Sequence, residues 1–203
     1  MIGIIDYGLG NLKSIQSALE KLSASYIMIR NTNDFSKAKK YILPGVGSFN
    51  TGMKNLIKLN YDRLIKKNVE EDKKPILGIC LGMQLLCNFG EEGGKTNGLG
   101  LIPGKIEKLK LGNNFSVPHI GWNRVLQKKK NVLFDKIPNN TFFYFIHSYH
   151  FTTDLMKNTI GTTVYDKNFI SAINLKNIYG IQPHPEKSQK YGLNLIKNFV
   201  NVI

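Results

Sequence analysis

Short apolar runs separated by amphipathic stretches fill the first part of the chain. Ile2 to Ile5 predicts a strand, and Leu12, Ile15, Leu19 and Leu22 recur at helical spacing behind it. Tyr26 to Ile29 and Tyr41 to Leu43 predict two more strands, followed by helical patterns over about 49–59 and 62–71. The apolar run Pro75 to Ile79 predicts a fourth strand, and 81–89 again reads as a helix. Strands that alternate with longer helical spans predict a parallel sheet covered on both faces. From Gly90 to Gly104 the pattern changes, because glycines and Pro103 interrupt any period. Residues 105–122 predict short strands with turns, and 142–146, 160–165, 171–175 and 179–182 predict further strands, with turns at Asp166-Lys167-Asn168 and Lys176-Asn177. A closing helix is expected over 191–202. The combined pattern predicts an α/β fold with a mixed, mostly parallel central sheet flanked by helices.

At 203 residues the chain suits one domain over 1–203, long enough to bury roughly 70% of its unfolded surface. The segment Met1 to Asp6 carries no basic leader and no long apolar stretch, which argues against export and against a membrane span. Cys80 and Cys87 resemble neither a disulfide framework nor a zinc cluster, so no metal is expected and a reducing cytoplasm fits best. The net charge of +14 would ordinarily suggest nucleic acid or an anionic surface. Its distribution argues otherwise. The lysines fall in small groups between structural segments, without interleaved aromatics, and Arg30, Arg63 and Arg124 are the only arginines, although arginine is the usual reader of bases. Neither nucleic acid nor membrane is expected as a partner.

The chemistry centres on Gly78-Ile79-Cys80-Leu81-Gly82, which has the spacing of a nucleophile elbow with cysteine as the attacking residue. An elbow would expose the thiol near a helix N-terminus, where the dipole favours thiolate. On its own the pentapeptide is equally compatible with a buried core cysteine. A cysteine nucleophile needs a base and the base needs an orienter. His184 lies in Gln182-Pro183-His184-Pro185-Glu186-Lys187, where flanking prolines stiffen the backbone and Glu186 returns to the same side as the imidazole. The alternative for His184 is a turn residue capping the last helix. In an open α/β sheet both segments follow strand ends and would share one crevice.

Acyl chemistry also needs an oxyanion site. The elbow offers the Leu81 N–H, and Pro44-Gly45-Val46-Gly47 is either the second donor or an ordinary turn. His147, in His147-Ser148-Tyr149-His150, reads as structural or substrate-lining, since no carboxylate follows closely, and His119 in Pro118-His119-Ile120-Gly121-Trp122-Asn123 reads as part of an interface or of a core bend. Gly8-Leu9-Gly10 lacks the third glycine of a dinucleotide fingerprint, so no cofactor is expected.

Taken together, Asp6-Tyr7-Gly8-Leu9-Gly10-Asn11-Leu12, Pro44 to Gly47, Gly78-Ile79-Cys80-Leu81-Gly82-Met83-Gln84, Pro118 to Asn123, His147-Ser148-Tyr149 and His184-Pro185-Glu186-Lys187-Ser188 resemble, in their order and over nearly the whole chain, the class I (triad-type) glutamine amidotransferases. Within that family the chain is most similar to glutaminase subunits of imidazole glycerol phosphate synthases. The resemblance implies a flavodoxin-like three-layer domain in which Cys80 attacks the glutamine side-chain amide, His184 shuttles the proton and Glu186 holds the imidazole. It assigns the oxyanion site to the backbone of Val46, Gly47 and Leu81, and contact with glutamine to Gln84, His147, Ser148 and Tyr149. Asn11, Trp122 and Lys187 match positions at a subunit contact. The partner so implied is a cyclase subunit with a (β/α)8 barrel, forming a heterodimer that takes up the ammonia for histidine biosynthesis. Barrel-side ligand would switch the glutaminase on through the Val46-Gly47 peptide. A paralogous glutaminase serving another synthase, such as a sugar amidotransferase of surface-polysaccharide assembly, would share the catalytic motifs. One departure stands out: Pro183 occupies a position where the family commonly has phenylalanine.

Overall fold

The computed structural model describes residues 1–202. It begins with β1 (Ile2–Ile5), α1 (Leu12–Lys21), β2 (Tyr26–Ile29), a 3-10 turn over Thr32–Lys37 and β3 (Lys40–Leu43). Next come α2 (Phe49–Lys58), α3 (Tyr61–Lys66), β4 (Ile76–Ile79) and α4 (Leu81–Leu85), with Cys80 alone between the last two. The remainder is β5 (Phe89–Gly90), β6 (Thr96–Asn97), β7 (Lys105–Lys108), β8 (His119–Gln127), β9 (Thr141–His147), β10 (Tyr149–Thr152), β11 (Thr159–Tyr165), β12 (Lys167–Leu175), β13 (Ile178–Ile181) and α5 (Gln189–Val200).

One mixed sheet carries all of these strands. Its parallel part runs β2-β1-β3-β4-β13, and antiparallel pairing begins where β12 joins β13. Because strand side chains alternate faces, the apolar runs seen in the sequence feed two separate cores. Ile4, Ile42, Leu77 and Ile79 pack with Ile15 and Leu19 of α1 and Leu195, Ile196 and Phe199 of α5. Ile5, Tyr41, Leu43 and Ile76 pack with Phe49, Met53 and Leu56 of α2, Tyr61 and Ile65 of α3, and Leu81 and Leu85 of α4. The helices are fixed at their starts by short polar side chains: the Asn11 oxygen accepts from the Ser14 N–H at 3.4 Å, and the Ser48 hydroxyl from the Thr51 N–H at 3.3 Å.

Two expectations need correction, and the helical stretch over 62–71 is borne out with a change of helix type inside it. The helix expected over 81–89 stops at Leu85, because the glycine-rich segment behind it takes its last carbonyls: Leu99 N–H bonds Leu85 O at 2.8 Å, Leu101 N–H bonds Leu86 O at 2.9 Å, and Gly100 N–H bonds Cys87 O at 2.8 Å. The pattern over 62–71 is helical throughout but divides into α3 and a π turn at Lys67–Glu71. His119 to Trp122 is neither a short strand nor a bend; it opens the long strand β8, paired antiparallel with β9 from His119↔His147 to Val125↔Thr141.

The site is set by β4 and β13 lying side by side in register, Ile79 opposite Ile181. The Cys80 N–H then bonds the Ile181 carbonyl at 2.8 Å, so the residues following both strands leave the sheet together. The turn is tight because glycines let α4 approach. A Cβ on Gly82 would overlap the Leu43 carbonyl, and one on Gly78 would lie 2.7 Å from the Gly82 carbonyl. We therefore expect Gly82→Ala to cost about 3 kcal/mol, lowering Tm by roughly 6–12 °C. Gly93→Ala, whose Cβ meets open space but at φ +67, should cost only about 1–2 kcal/mol. Thermal unfolding of the two variants in parallel checks this; equal losses would mean that the close approach at Gly82 is not under constraint.

Candidate active site

Cys80 has φ 53 and ψ −111, a conformation that non-glycine residues adopt at a cost of order 1–3 kcal/mol. The strain has a geometric result: the side chain is thrown out of the strand direction toward β9. The thiol is less open than an elbow implies, with Cys80 only 6% exposed. Its Sγ lies 3.8 Å from the Ile146 carbonyl, where only a protonated thiol could donate, and 3.6 Å from Gln182 Nε2.

His184 follows β13 by a short extended link. Its N–H donates to the Tyr144 carbonyl of β9 at 2.8 Å, and its carbonyl accepts from the Ser188 hydroxyl at 2.6 Å. Pro183 fits here without leaving a gap in the pairing. The N–H groups on either side of it, Gln182 and His184, are both bonded, the former to Ser171 O at 2.9 Å. Nδ1 of His184 donates to Glu186 Oε1 at 2.7 Å, and both side chains are 2% exposed. That leaves Nε2 for the sulfur. It has no partner of hydrogen-bond geometry in the resting structure, although the Cys80 charge acts on it strongly. Burial alone would depress this imidazole; the neighbouring Cys80 sulfur and then Glu186 outweigh burial and push its pKa up to about 10. The resting pair is thus held by charge, at looser geometry than a formed hydrogen bond, as is common before substrate binds.

The other histidines are arranged to stay neutral. His147 Nδ1 donates to the Tyr149 carbonyl at 2.9 Å, so its Nε2 accepts from His119 Nδ1 at 3.0 Å. His119 Nε2 in turn faces Asn123 Nδ2 at 3.3 Å. Burial lowers His147 to about 3 and His119 to about 4. Both His147 nitrogens are committed, which excludes base work and leaves a lining and orienting part.

A cavity of about 320 Å³ opens over the sulfur. Val46, Gly47, Cys80, Leu81, Gln84, His147, Ser148, Tyr149 and Lys187 all line it, as do Glu92, Pro118 and Ile146. Leu81 is the first residue of α4, so its N–H has no partner within the helix. Gly47 sits at φ +111, a conformation that needs glycine, and Val46 is exposed at the rim. The positions read from the sequence as nucleophile, base, oxyanion loop and substrate lining therefore meet in one place. Trp122 lies outside the cavity but close to Lys187, with Tyr144 between them: the Trp122 and Tyr144 rings are 6.1 Å apart and Lys187 Nζ is 5.7 Å from the Tyr144 ring. Asn11 is elsewhere, its side chain engaged as the cap of α1.

Three residues were missed by sequence reading. Glu92 brings a carboxylate to the cavity and accepts from the Phe49 N–H at 2.7 Å. Gln182 reaches the sulfur. Tyr7 buries its hydroxyl beside Gly45, near enough to Cys80 that the sulfur's charge adds to burial in raising its pKa. Only the elevated polarity of Gln182 at the end of an apolar strand could have marked one of them.

The family model for class I glutamine amidotransferases matches residues 3–202. The chain belongs to that family. This glutamine amidotransferase is 48% identical over 200 residues to imidazole glycerol phosphate synthase subunit HisH 2 of Methanococcus maripaludis, covering 98% of each chain. It is 42% identical to subunit HisH 1 of Campylobacter jejuni and 45% identical to subunit HisH of Methanocaldococcus jannaschii, each over the full length of both chains. Among solved structures, a glutamine amidotransferase superposes with TM-score 0.77 at 17% identity, covering 99% of both chains. PurLQS of Thermotoga maritima superposes with TM-score 0.70 at 20% identity, covering 98% of this chain and 97% of that one. At such identities the superpositions bear on the fold alone, and the fold they share is the mixed sheet flanked by helices described above.

Two outcomes follow for the thiols and the imidazole. Cys87 bonds the Phe89 carbonyl at 3.1 Å and burial pushes it up to about 12, so iodoacetamide at pH 7 should modify Cys80 and spare Cys87, as read by peptide mass. The His184 ring should titrate near pH 10 by NMR in the native chain. In Cys80→Ala it should titrate at lower pH, because the attraction is gone while burial remains; an unmoved titration would dissociate the imidazole from the sulfur.

Proposed function

We propose that this chain is the glutaminase subunit of an imidazole glycerol phosphate synthase, one such domain over its whole length, with Cys80, His184 and Glu186 as its catalytic triad. The observation that carries the chemistry is the strained cysteine at the mouth of a cavity, beside an imidazolium held at 2.7 Å by a buried carboxylate. The full-length identity to subunits named for that synthase supports the pathway.

The reaction follows from the atoms present. His184 Nε2 carries the proton of the pair in the resting state, and the Cys80 sulfur adds to the side-chain carboxamide carbon of glutamine. Charge moves to the carbonyl oxygen, which the Leu81 N–H meets at the start of α4, with a second donor from the Val46-Gly47 backbone. His184 returns the proton to the leaving nitrogen, the C–N bond breaks, and ammonia departs from a glutamyl thioester. Water, deprotonated by His184, then adds to the thioester carbon; the C–S bond breaks and glutamate forms. Gln84 uses both N–H bonds within the protein, on Tyr149 O and Gln182 Oε1 at 3.0 Å each, so its Oε1 is the atom left to meet the substrate. Glu92 is suited to the α-ammonium group, since it offers negative charge at the cavity wall. No cofactor or metal is needed for these steps.

The partner side of the reading rests on one face of β8 and β9. Residues pointing away from the core pair as Ile120↔Ile146, Trp122↔Tyr144 and Arg124↔Phe142. Ile120, Trp122, Phe142 and Ile146 are exposed, and so are Val46 at the cavity rim and Val117 just ahead of β8. A row of exposed aliphatic and aromatic side chains beside a catalytic cavity is the composition of an interface core. We assign it to the cyclase subunit, a (β/α)8 barrel forming a heterodimer in which ammonia passes directly between the sites, with Trp122 and Lys187 at the contact and Asn11 at its margin. No described helix is long and apolar enough to cross a membrane, and two free thiols suit a cytoplasmic setting.

Cys80→Ala should lower glutamate formation by at least about 10³-fold while leaving association with the cyclase intact. Trp122→Ala should weaken that association by about 1–3 kcal/mol without changing the thermal stability of the isolated chain. Titration calorimetry against the histidine-pathway cyclase, with a coupled glutamate assay, checks both. Glutaminase stimulation by a sugar amidotransferase system and not by the cyclase would replace this assignment with the paralogous one.

A further inference from the structure

We infer that Gln182 is a catalytic hydrogen-bond donor to the Cys80 sulfur, locked in its donating orientation by Gln84. This rests on the reading of Cys80 as the nucleophile and adds a residue to it.

The orientation of the Gln182 amide can be deduced from an atom whose chemistry is beyond choice. The Tyr149 backbone carbonyl can only accept. It lies 3.0 Å from one end of the Gln84 amide, which must therefore be Nε2. That same Gln84 Nε2 lies 3.0 Å from one end of the Gln182 amide. A donor there must meet an acceptor, so that end is Gln182 Oε1. Gln182 Nε2 is then the end turned to the Cys80 sulfur, at 3.6 Å. Flipping Gln182 would set nitrogen against nitrogen at Gln84 and oxygen against a charged sulfur. The Gln182 side chain is fully buried, and its backbone is held by the main-chain N–H on Ser171 O at 2.9 Å, so the amide has no water to turn to.

The surroundings of the sulfur show why such a donor matters. The Ile146 carbonyl, 3.8 Å from Sγ, stabilises the thiol and repels a thiolate. His184 Nε2 supplies charge but has no formed hydrogen bond in the resting state. Gln182 opposes the carbonyl from a second direction and carries no proton that can be lost. Holding charge on sulfur lowers its intrinsic nucleophilicity somewhat, but the fraction ionised rises more steeply than reactivity falls. The same donor also receives the sulfur when it leaves the thioester as thiolate, the step in which His184 is occupied with water. Because Gln84 both lines the cavity and fixes Gln182, substrate contact at Gln84 is linked through two amides to the reacting atom.

The test compares Gln182→Met, which keeps the length and cannot donate, with Gln182→Glu, which still accepts from Gln84 and presents negative charge to sulfur. The rate of Cys80 alkylation by iodoacetamide is followed from pH 5 to 9 by peptide mass in the full chain, alongside thermal unfolding and glutamate formation with the cyclase. In Gln182→Met the pH of half-maximal alkylation should rise by about one unit, as expected for loss of a weak hydrogen bond to a charged atom, and kcat should fall about tenfold. Gln182→Glu should move the profile further in the same direction. Purely structural damage would reduce Tm or amplitude without moving the pH midpoint. If either folded variant shows the native midpoint, the role of Gln182 is overturned; should Gln182→Met not fold, Gln182→Glu decides alone. A native chain that fails to alkylate at Cys80 or to form glutamate would instead overturn the triad itself, and is distinguished by being a failure of the unsubstituted protein.

Discussion

Everything in this site hangs on how closely α4 comes to the sheet at the end of β4. With glycine at 78 and 82, the helix starts against the Leu43 carbonyl and the chain must reverse within a single residue. That residue is Cys80, held at φ 53 and anchored by its N–H on Ile181. The strain of order 1–3 kcal/mol is offset by the packing of Leu81 and Leu85 in one core and of Leu77 and Ile79 in the other. The same closeness brings the start of α4 beside the 44–47 loop, so that a helix N-terminus, a glycine at positive φ and the sulfur share one corner. Relaxing the approach would separate all three.

Electrostatic economy governs what surrounds that corner. A chain with net charge +14 keeps a single histidine of the site charged, and that one is clamped to a buried carboxylate. Two other imidazoles lie close by, yet each is held neutral by burial and by a directed relay, Asn123 to His119 to His147 to Tyr149 O. A second buried cation next to His184 would compete for the sulfur's charge and for Glu186, and would go uncompensated by any anion of its own. The neutral relay also fills the space beneath β8 with polar atoms that are bonded to one another. The outer face of β8 and β9 is apolar and exposed. One pair of strands therefore gives the cavity a wall and presents an apolar face to solvent, because successive side chains on a strand point to opposite sides.

Much of this was legible in the sequence. The parallel half was, since each short apolar run makes a strand, buried on both faces in β1 and β4 and half-buried at the edge in β2, and the amphipathic stretches make covering helices. The elbow spacing, the carboxylate two residues after His184 and the glycine pair at 45 and 47 pointed to the groups proposed to react, because short-range geometry ties residue type to possible chemistry there. Their convergence was an inference from strand order, and the register of β4 with β13 is its physical basis.

Tertiary structure decided the rest, wherever a hydrogen bond from far along the chain overruled a local preference. The apolar spacing of 81–89 favours helix, but the N–H groups of 99–102 claim the carbonyls that would have propagated it. His119 to Asn123 looks irregular in isolation and becomes regular strand only because β9 lies opposite. Glu92 and Gln182 enter the site through contacts spanning tens of residues or more, and no period or motif announces them. The charge state of each histidine was likewise settled by burial and partners, which a sequence does not contain. The residue types that can do the chemistry are thus fixed by the chain itself, whereas which of them meet, in what orientation and with how many protons, is fixed by packing.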